Sequence, residues 1–268
     1  MSETTPATTV SEPGATPKEA PETGQKSGHQ VSIEQLLKAG THFGHLTSRW
    51  NPKMKKYIFM QRNNIHIIDL MQTQAMLNNA AEAASRFARM GRPLLFVGTK
   101  KQARETVRNY AVSCDSPYVV ERWLGGTLTN FQTIRGSIRR MDELARFEEG
   151  ESFQTLKKKE RLMHTREHEK LVKVLSGIAT MPRLPGAVFV VDINREHIAV
   201  KEARKLGIPI IAMIDTNCDP DLVDYPIPAN DDALKSIQLV TSVIAGAVNE
   251  GKRAKETRET QEGNKRKS

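Results

Sequence analysis

Short apolar runs alternate with stretches of helical periodicity along most of this chain, the order a layered α/β domain requires. Residues 94–97 (Leu94 to Val97) and 187–191 (Ala187 to Val191) are continuous apolar runs, as in strands buried on both faces of a sheet. Pro209 to Ile214 reads as the next strand, and Tyr118 to Val120 as a shorter one. Tyr57 to Met60 and Ile65 to Ile68 read as two short strands joined by a turn over Gln61 to Asn64. Ser32 with Gln35 fits a capping box that opens a helix through Lys38, stopped by Gly40. Asp69 is expected to cap a helix to about Met90, with Gly91 as its stop. Another helix follows residues 98–104 and runs to about Ser113. Asn194 is expected to cap a helix that turns Ile198 and Ala199 to the sheet and closes at Gly207. A last helix is expected from about Asn230 to Asn249.

The alternation is interrupted between Arg122 and Asn130. Gly125 and Gly126 let the backbone turn without a Cβ penalty, and Thr129 or Asn130 can cap a following helix. Phe131, Ile134, Ile138, Met141 and Ala145 then recur in three- and four-residue steps, a coiled-coil seam. A tip at Phe147 to Ser152 leads into a return helix with Arg161, His164, His168, Leu171, Leu175 and Ile178 at the same spacing. The outer half of that seam is polar. The expected organisation is a disordered extension over 1–30 and an α/β body over 31–128 and 179–250. A protruding helical hairpin occupies 129–178, and a basic, disordered tail 251–268.

A formal charge of +9 favours a polyanionic partner, nucleic acid or an anionic membrane. Aromatics make up only 5% of the chain, so cation-lined backbone contacts fit better than an extensive stacking platform. Cys114 and Cys218 lack metal-type spacing and read as reduced thiols of a cytosolic protein. No apolar run approaches the roughly 18 residues of a membrane span. The acidic, proline-rich start lacks the basic-then-apolar pattern of a leader. A soluble intracellular protein is expected.

The candidate chemistry is concentrated in a few stretches. Arg49, Lys53, Lys55 and Lys56 surround Trp50, Asn51 and Pro52, and cations interleaved with an aromatic suit phosphate and base contacts. Lys100, Lys101 and Arg104 lie where a strand end meets a helix start, which favours an anion. That stretch is neither a Walker loop nor a dinucleotide fingerprint. Arg122 beside Trp123 suits nucleotide stacking; equally, Trp123 can plug the junction between body and arm. His42 with His45, and His164 with His168, have spacings that can hold a metal, but neither pair has a third ligand nearby in sequence. Hydrogen-bonded loop histidines are the commoner role. Asp192 and Asp215 at strand ends, with Lys100, could mimic a magnesium-dependent phosphoryl-transfer centre. Against catalysis, no nucleophile has a neighbouring base.

The stretches His42 to His45, Arg49 to Met54, Leu95 to Lys100 and Arg122 to Asn130, with Leu184-Pro185, His197-Ile198, Glu202-Ala203, Asp215 to Asn217 and Asp219-Pro220, stand in one order over 33 to about 249. So distributed, they resemble the bacterial ribosomal protein S two family of the small subunit. The resemblance implies a flavodoxin-like three-layer α/β domain around a mainly parallel five-stranded sheet, with a coiled-coil hairpin inserted. It implies a structural, non-enzymatic component of the cytoplasmic ribosome that binds small-subunit rRNA and helps recruit the large mRNA-binding ribosomal protein S one. No cofactor, metal, membrane or homo-oligomer is expected. The residues expected to touch RNA are Arg49, Trp50, Asn51, Lys53, Lys55, Lys56, Arg62, Lys100, Lys101, Arg104, Arg122, Trp123, Thr127, Asn130 and Arg139. Cations among them neutralise phosphates, whereas Trp50, Trp123 and Asn130 supply stacking or hydrogen bonds. Two departures stand out: His168 where the hairpin of the family favours leucine, and Gly186 after Leu184-Pro185. The alternatives are a phosphate- or nucleotide-handling enzyme built on Lys100, Asp192 and Asp215, and a protein-interaction scaffold built on the hairpin.

Overall fold

The computed structural model describes residues 31–265; the segment 1–30, expected to be disordered, lies outside the described residues. Helix α1 (Ile33–Lys38) opens with the expected capping box, Ser32 and Gln35 each bonding the other's amide. Three strands, β1 (Phe43–Leu46), β2 (Ile58–Arg62) and β3 (Ile65–Ile68), then form a small antiparallel sheet in the order β1-β3-β2. The β2–β3 turn falls on Asn63 and Asn64, both left-handed with φ of 50° and 59°, as a two-residue hairpin turn requires. Strand β1 was not expected. Its Phe43 and Leu46 are both exposed, so it lacks the in-and-out alternation that marks a half-buried strand. Two short 3-10 helices, Thr47–Arg49 and Pro52–Tyr57, connect β1 to β2.

Asp69 accepts from the Met71 amide (2.9 Å) and caps α2 (Leu70–Arg89). The chain then runs β4 (Leu94–Val97), α3 (Arg104–Ser113), β5 (Tyr118–Val119), α4 (Phe131–Glu149), α5 (Glu151–Thr155) and α6 (Lys158–Leu175). It continues β6 (Ala187–Val191), α7 (His197–Lys205), β7 (Ile210–Ile214), β8 (Tyr225–Pro228) and α8 (Leu234–Lys265). The larger sheet has the order β5-β4-β6-β7-β8 with every neighbour parallel. Numbered from its own first strand this is 2-1-3-4-5, the flavodoxin-like doubly wound order. Strand β8 escaped the pattern reading because Pro226 and Pro228 interrupt it; prolines are tolerated at the sheet's edge.

The continuous apolar strands are buried on both faces. Leu94, Phe96 and Phe189 pack on one side with α2, α3 and α8, while Leu95, Val97 and Val190 pack on the other with α7 and parts of α4 and α6. Burying each such large side chain stabilises by ~1.5–3 kcal/mol. Ala199 faces the sheet as expected, but Ile198 is 43% exposed, because α7 is capped at Glu196 rather than Asn194 and turns Ala199, Val200 and Ala203 inward. On α4 the buried positions are Ile134, Ile138, Met141 and Leu144; the seam passes through Leu144 instead of Ala145.

Helix α8 corrects the tail. It does not stop at Asn249 but runs to Lys265, through the segment expected to be disordered. Gly251 is buried where α8 crosses α2. A Cβ there would run into the Ser85 carbonyl and come 2.9 Å from the Ala88 methyl. The glycine serves close helix approach, not termination.

Candidate nucleic-acid interface

The loop holding Arg49 to Lys56 is fastened to the carboxyl end of β7. The Asn51 amide donates to the Thr216 carbonyl (2.8 Å), and the His45 amide to the Thr216 hydroxyl (2.9 Å). Asn51 Oδ1 caps the 3-10 helix through the Lys53 amide (3.0 Å). Met54 and Tyr57 are buried beneath it, so the intervening Lys55 and Lys56 point outward. Gly44 permits this docking, since a Cβ there would meet Thr216 Cγ2 at 2.5 Å and the His66 carbonyl at 3.0 Å. Lys53 is exposed but paired with Asp219 (2.8 Å) and Asp221 (2.9 Å). Trp50 is half-buried, its ring 5.0 Å from that of His66.

The stretch from Arg122 to Asn130 is organised by Glu202, which the sequence reading placed among the family motifs without a role of its own. The Glu202 carboxylate accepts from the Trp123 indole (3.1 Å) and from the amides of Gly126 (2.7 Å), Leu128 (3.0 Å) and Thr129 (3.0 Å). Burial pushes this carboxyl's pKa up, but the donors outweigh burial and hold it below the usual range. The signal in the sequence was an acid on the apolar face of α7, among Ala199, Val200 and Ala203. Trp123, for which stacking and a plugging role were both open, is buried among the residues that pack under α4 and α7. Thr127 is buried too, its hydroxyl donating to the Leu124 carbonyl (2.6 Å). Asn130 is exposed at the start of α4 without a side-chain bond to the helix amides; its Oδ1 accepts from the Thr133 hydroxyl (2.8 Å).

At the carboxyl ends of β4, β6, β7 and β8 lies a polar cluster. Lys100 Nζ meets Asp231 Oδ1 (2.7 Å), Asp232 Oδ1 (2.6 Å) and Asp192 Oδ2 (3.4 Å). Burial disfavours its charge, yet the three carboxylates outweigh that and raise its pKa. Asp231 is pushed up to about 7 by burial and by Asp192 and Asp215, against the pull of Lys100. Lys100 is therefore an internal counter-ion, not a free phosphate ligand. Arg104 is likewise engaged, with Glu121 Oε2 (3.0 Å) and the carbonyls of Thr99 and Glu121. The sequence rightly brought Lys100, Asp192 and Asp215 to one edge, but they neutralise one another and their neighbours, and no activated nucleophile joins them.

Arg49, Lys55, Lys56, Arg62, Lys101, Arg122 and Arg139 are exposed and make no ion pair among the described residues. Arg49, Lys55, Lys56, Lys101 and Arg122 all belong to segments at the carboxyl end of the large sheet. Helices α4 and α6 pack together, with His168 Nδ1 2.7 Å from Glu148 Oε2 and the His164 ring 5.4 Å from Phe147. Glu148 is thus the carboxylate partner that sequence spacing alone did not supply. No helix of the described residues is long and apolar enough to cross a membrane.

The geometry is that of a doubly wound α/β body with strand-end acids set against Lys100 and His45, under a rim of exposed cations that make no ion pair among the described residues. The profile of the family described as Ribosomal protein S2 matches residues 36–251. The small ribosomal subunit protein uS2 of Salinibacter ruber is 64% identical over 225 residues, 84% of this chain and 70% of the relative. Those of Chlorobium phaeovibrioides and Chlorobaculum tepidum are 58% and 57% identical, covering 81% and 83% of this chain and 84% and 90% of theirs. The chain belongs to the ribosomal protein S2 family, and its role is a structural one in the ribosome.

Proposed function

We propose that the protein is built into the small ribosomal subunit by binding small-subunit rRNA and that it helps recruit the mRNA-binding ribosomal protein S one. Residues 31–128 and 179–250 act as the body, and residues 129–178 as an arm reaching from it. The observation that carries the reading is the set of exposed, unpaired cations at the carboxyl end of the large sheet, on a surface whose acids are occupied internally. Arg49, Lys55, Lys56, Lys101 and Arg122 neutralise phosphates and fix orientation, with Arg62 and Arg139 extending the contact. Trp50, Asn130 and Lys53 stand beside them as accessible groups. Asn51, Thr127, Trp123, Lys100 and Arg104 hold the backbone that presents these side chains. The relatives' naming as small-subunit proteins supports the assignment of the subunit.

The test is sucrose-gradient fractionation of lysate at moderate and then high salt, following this chain and protein S one together. Co-migration with small subunits that weakens as salt rises is expected. A peak confined to the top of the gradient at every salt overturns the reading. Subunits depleted of this chain are expected to lose protein S one, and full retention of it removes the recruitment role.

A further inference from the structure

Strand β5 lies on one side of β4, while β6, β7 and β8 follow on the other, so the winding of the large sheet reverses between β4 and β6. Loops that diverge from the carboxyl ends of two such strands open a crevice, and open α/β sheets take their ligands there. Here a cavity of about 340 Å³ is lined by Thr99, Glu121, Arg122, Arg195, Glu196 and Ile198, together with Trp123. Arg195 was not among the residues expected to touch RNA. Its Nε donates to the Thr99 hydroxyl (3.1 Å), and its terminal nitrogens make no hydrogen bond or ion pair among the described residues. Arg122 is exposed and equally free. The two acids each keep one oxygen open. Glu196 is only 3% exposed, and its Oε1 accepts from both the amide (2.8 Å) and the hydroxyl (2.5 Å) of Thr99, leaving Oε2 without a hydrogen bond among the described residues. Arg104 takes Glu121 Oε2 (3.0 Å) and leaves Oε1 in the same state. Burial pushes the Glu196 carboxyl's pKa up against the two Thr99 bonds, so donors brought to Oε2 favour its charged form. Helix α7 starts at this wall without a side-chain cap, and such a start favours an anion.

Resting on the rRNA-binding reading above, we propose that this crevice receives one unpaired guanine nucleotide of the RNA strand. Unpaired bases are the part of RNA that proteins read by their edges, and guanidinium planes and apolar side chains are what such bases pack against. Guanine presents two adjacent donors on its Watson–Crick edge, N1–H and the N2 amino group. The open carboxylate oxygens of Glu196 and Glu121 are acceptors only, and so match that edge. Adenine and cytosine set a single amino donor beside an acceptor, and uracil one N–H between two acceptors, so each brings a lone pair against the acids. Ile198, exposed on a helix whose neighbouring apolar positions turn inward, gives the base an apolar face. Arg122 and Arg195 take the flanking phosphates. The unpaired cations continue past the crevice through Lys101 to the loop from Arg49 to Lys56, a track for a strand rather than for a single nucleotide. The rim thus positions the RNA, and the crevice reads one base.

The experiment titrates the full-length chain into labelled oligouridine strands that carry one central guanine, adenine or inosine, and into small-subunit rRNA, reading anisotropy at low salt. The guanine strand is expected to bind about tenfold tighter than the adenine strand, the scale of one well-placed edge contact. Inosine, which lacks the N2 amino donor, is expected to fall between them. Glu196→Gln should erase the guanine preference and leave the adenine strand's affinity as it was, whereas Arg195→Ala should weaken all three strands and keep the preference. Equal binding of the three strands by the unmodified chain overturns the crevice assignment while rRNA binding stands. Failure to bind rRNA as well as every strand overturns the rRNA-binding reading, and this inference with it. Should Glu196→Gln fail to fold by circular dichroism, the inosine strand on the unmodified chain decides, and inosine bound as tightly as guanine refutes the proposal. Guanosine monophosphate that displaces the guanine strand at equal concentration makes the ligand a free nucleotide and refutes the RNA assignment.

Discussion

Glu202 shows how a single side chain can set the presentation of a surface it never reaches. Its carboxylate gathers the Trp123 indole and the amides of Gly126, Leu128 and Thr129, donors that the turn into α4 leaves without strand or helix partners. Glu202→Gln keeps the shape but replaces one acceptor oxygen with an NH2 facing those donors. It should cost ~2–3 kcal/mol in denaturant unfolding, the scale of hydrogen bonds to a charged group. The difference is pH-dependent. The folded carboxyl titrates below the unfolded one, so its stabilisation is fully present above about pH 4.3 and is lost as pH falls through the folded value. The gap between native and Glu202→Gln protein should narrow in acid; a gap that widens there would show that the carboxylate is not the stabilising form. This is also where the sequence was least legible. Arg122 with Trp123 fits a stacking pair or a junction plug equally, and the deciding partner lies 79 residues away.

Elements were easier to read than contacts. Continuous apolar runs gave β4, β6 and β7 because burial on both faces leaves no polar positions, whereas β1 and β8 carry no such signature. A tail is expected from Gly251 because the sequence beyond it has no apolar anchor, yet α8 continues through this glycine, which lies against α2. Gly251→Ala separates propensity from packing by sign. Helix propensity alone predicts a gain of ~1 kcal/mol. The clash with the Ser85 carbonyl, which is backbone and cannot swing aside, predicts a loss of ~1–3 kcal/mol. A lowered melting temperature is expected. Between α4 and α6, His168 pairs with Glu148 at about one-fifth exposure each, and Glu148 Oε1 has no partner. His168→Leu alone strands the carboxylate and should destabilise. The double change Glu148→Leu with His168→Leu should recover that loss and add ~1 kcal/mol, as apolar replacements of mostly buried polar pairs commonly do. Melting curves of the single and double variants decide it.

At the scale of the whole molecule, net charge is a poor guide to which cations meet a polyanion. Lys100 and Arg104 are as basic in sequence as Lys55 and Lys56, but the fold spends the first pair on Asp192, Asp231, Asp232 and Glu121. Lys55 and Lys56 stand exposed on the 3-10 helix with Met54 and Tyr57 buried under them. On the proposed rRNA-binding role, the two pairs should therefore fail differently. Lys55→Ala with Lys56→Ala should weaken rRNA binding and flatten the plot of log affinity against log salt by about 2 units, near one per phosphate contact. Its unfolding curve should not move, because neither side chain holds an ion pair. Arg104→Ala should do the reverse: it leaves Glu121 unpaired and lowers stability while the salt slope stays as it was. Binding measured over a salt series, with unfolding of the same preparations, tests both statements together. If Lys55→Ala with Lys56→Ala leaves the slope unchanged, RNA does not sit on the loop from Arg49 to Lys56. If Arg104→Ala flattens the slope without loss of stability, its pairing with Glu121 gives way on assembly and the cation rim extends further along the sheet edge than the free chain displays.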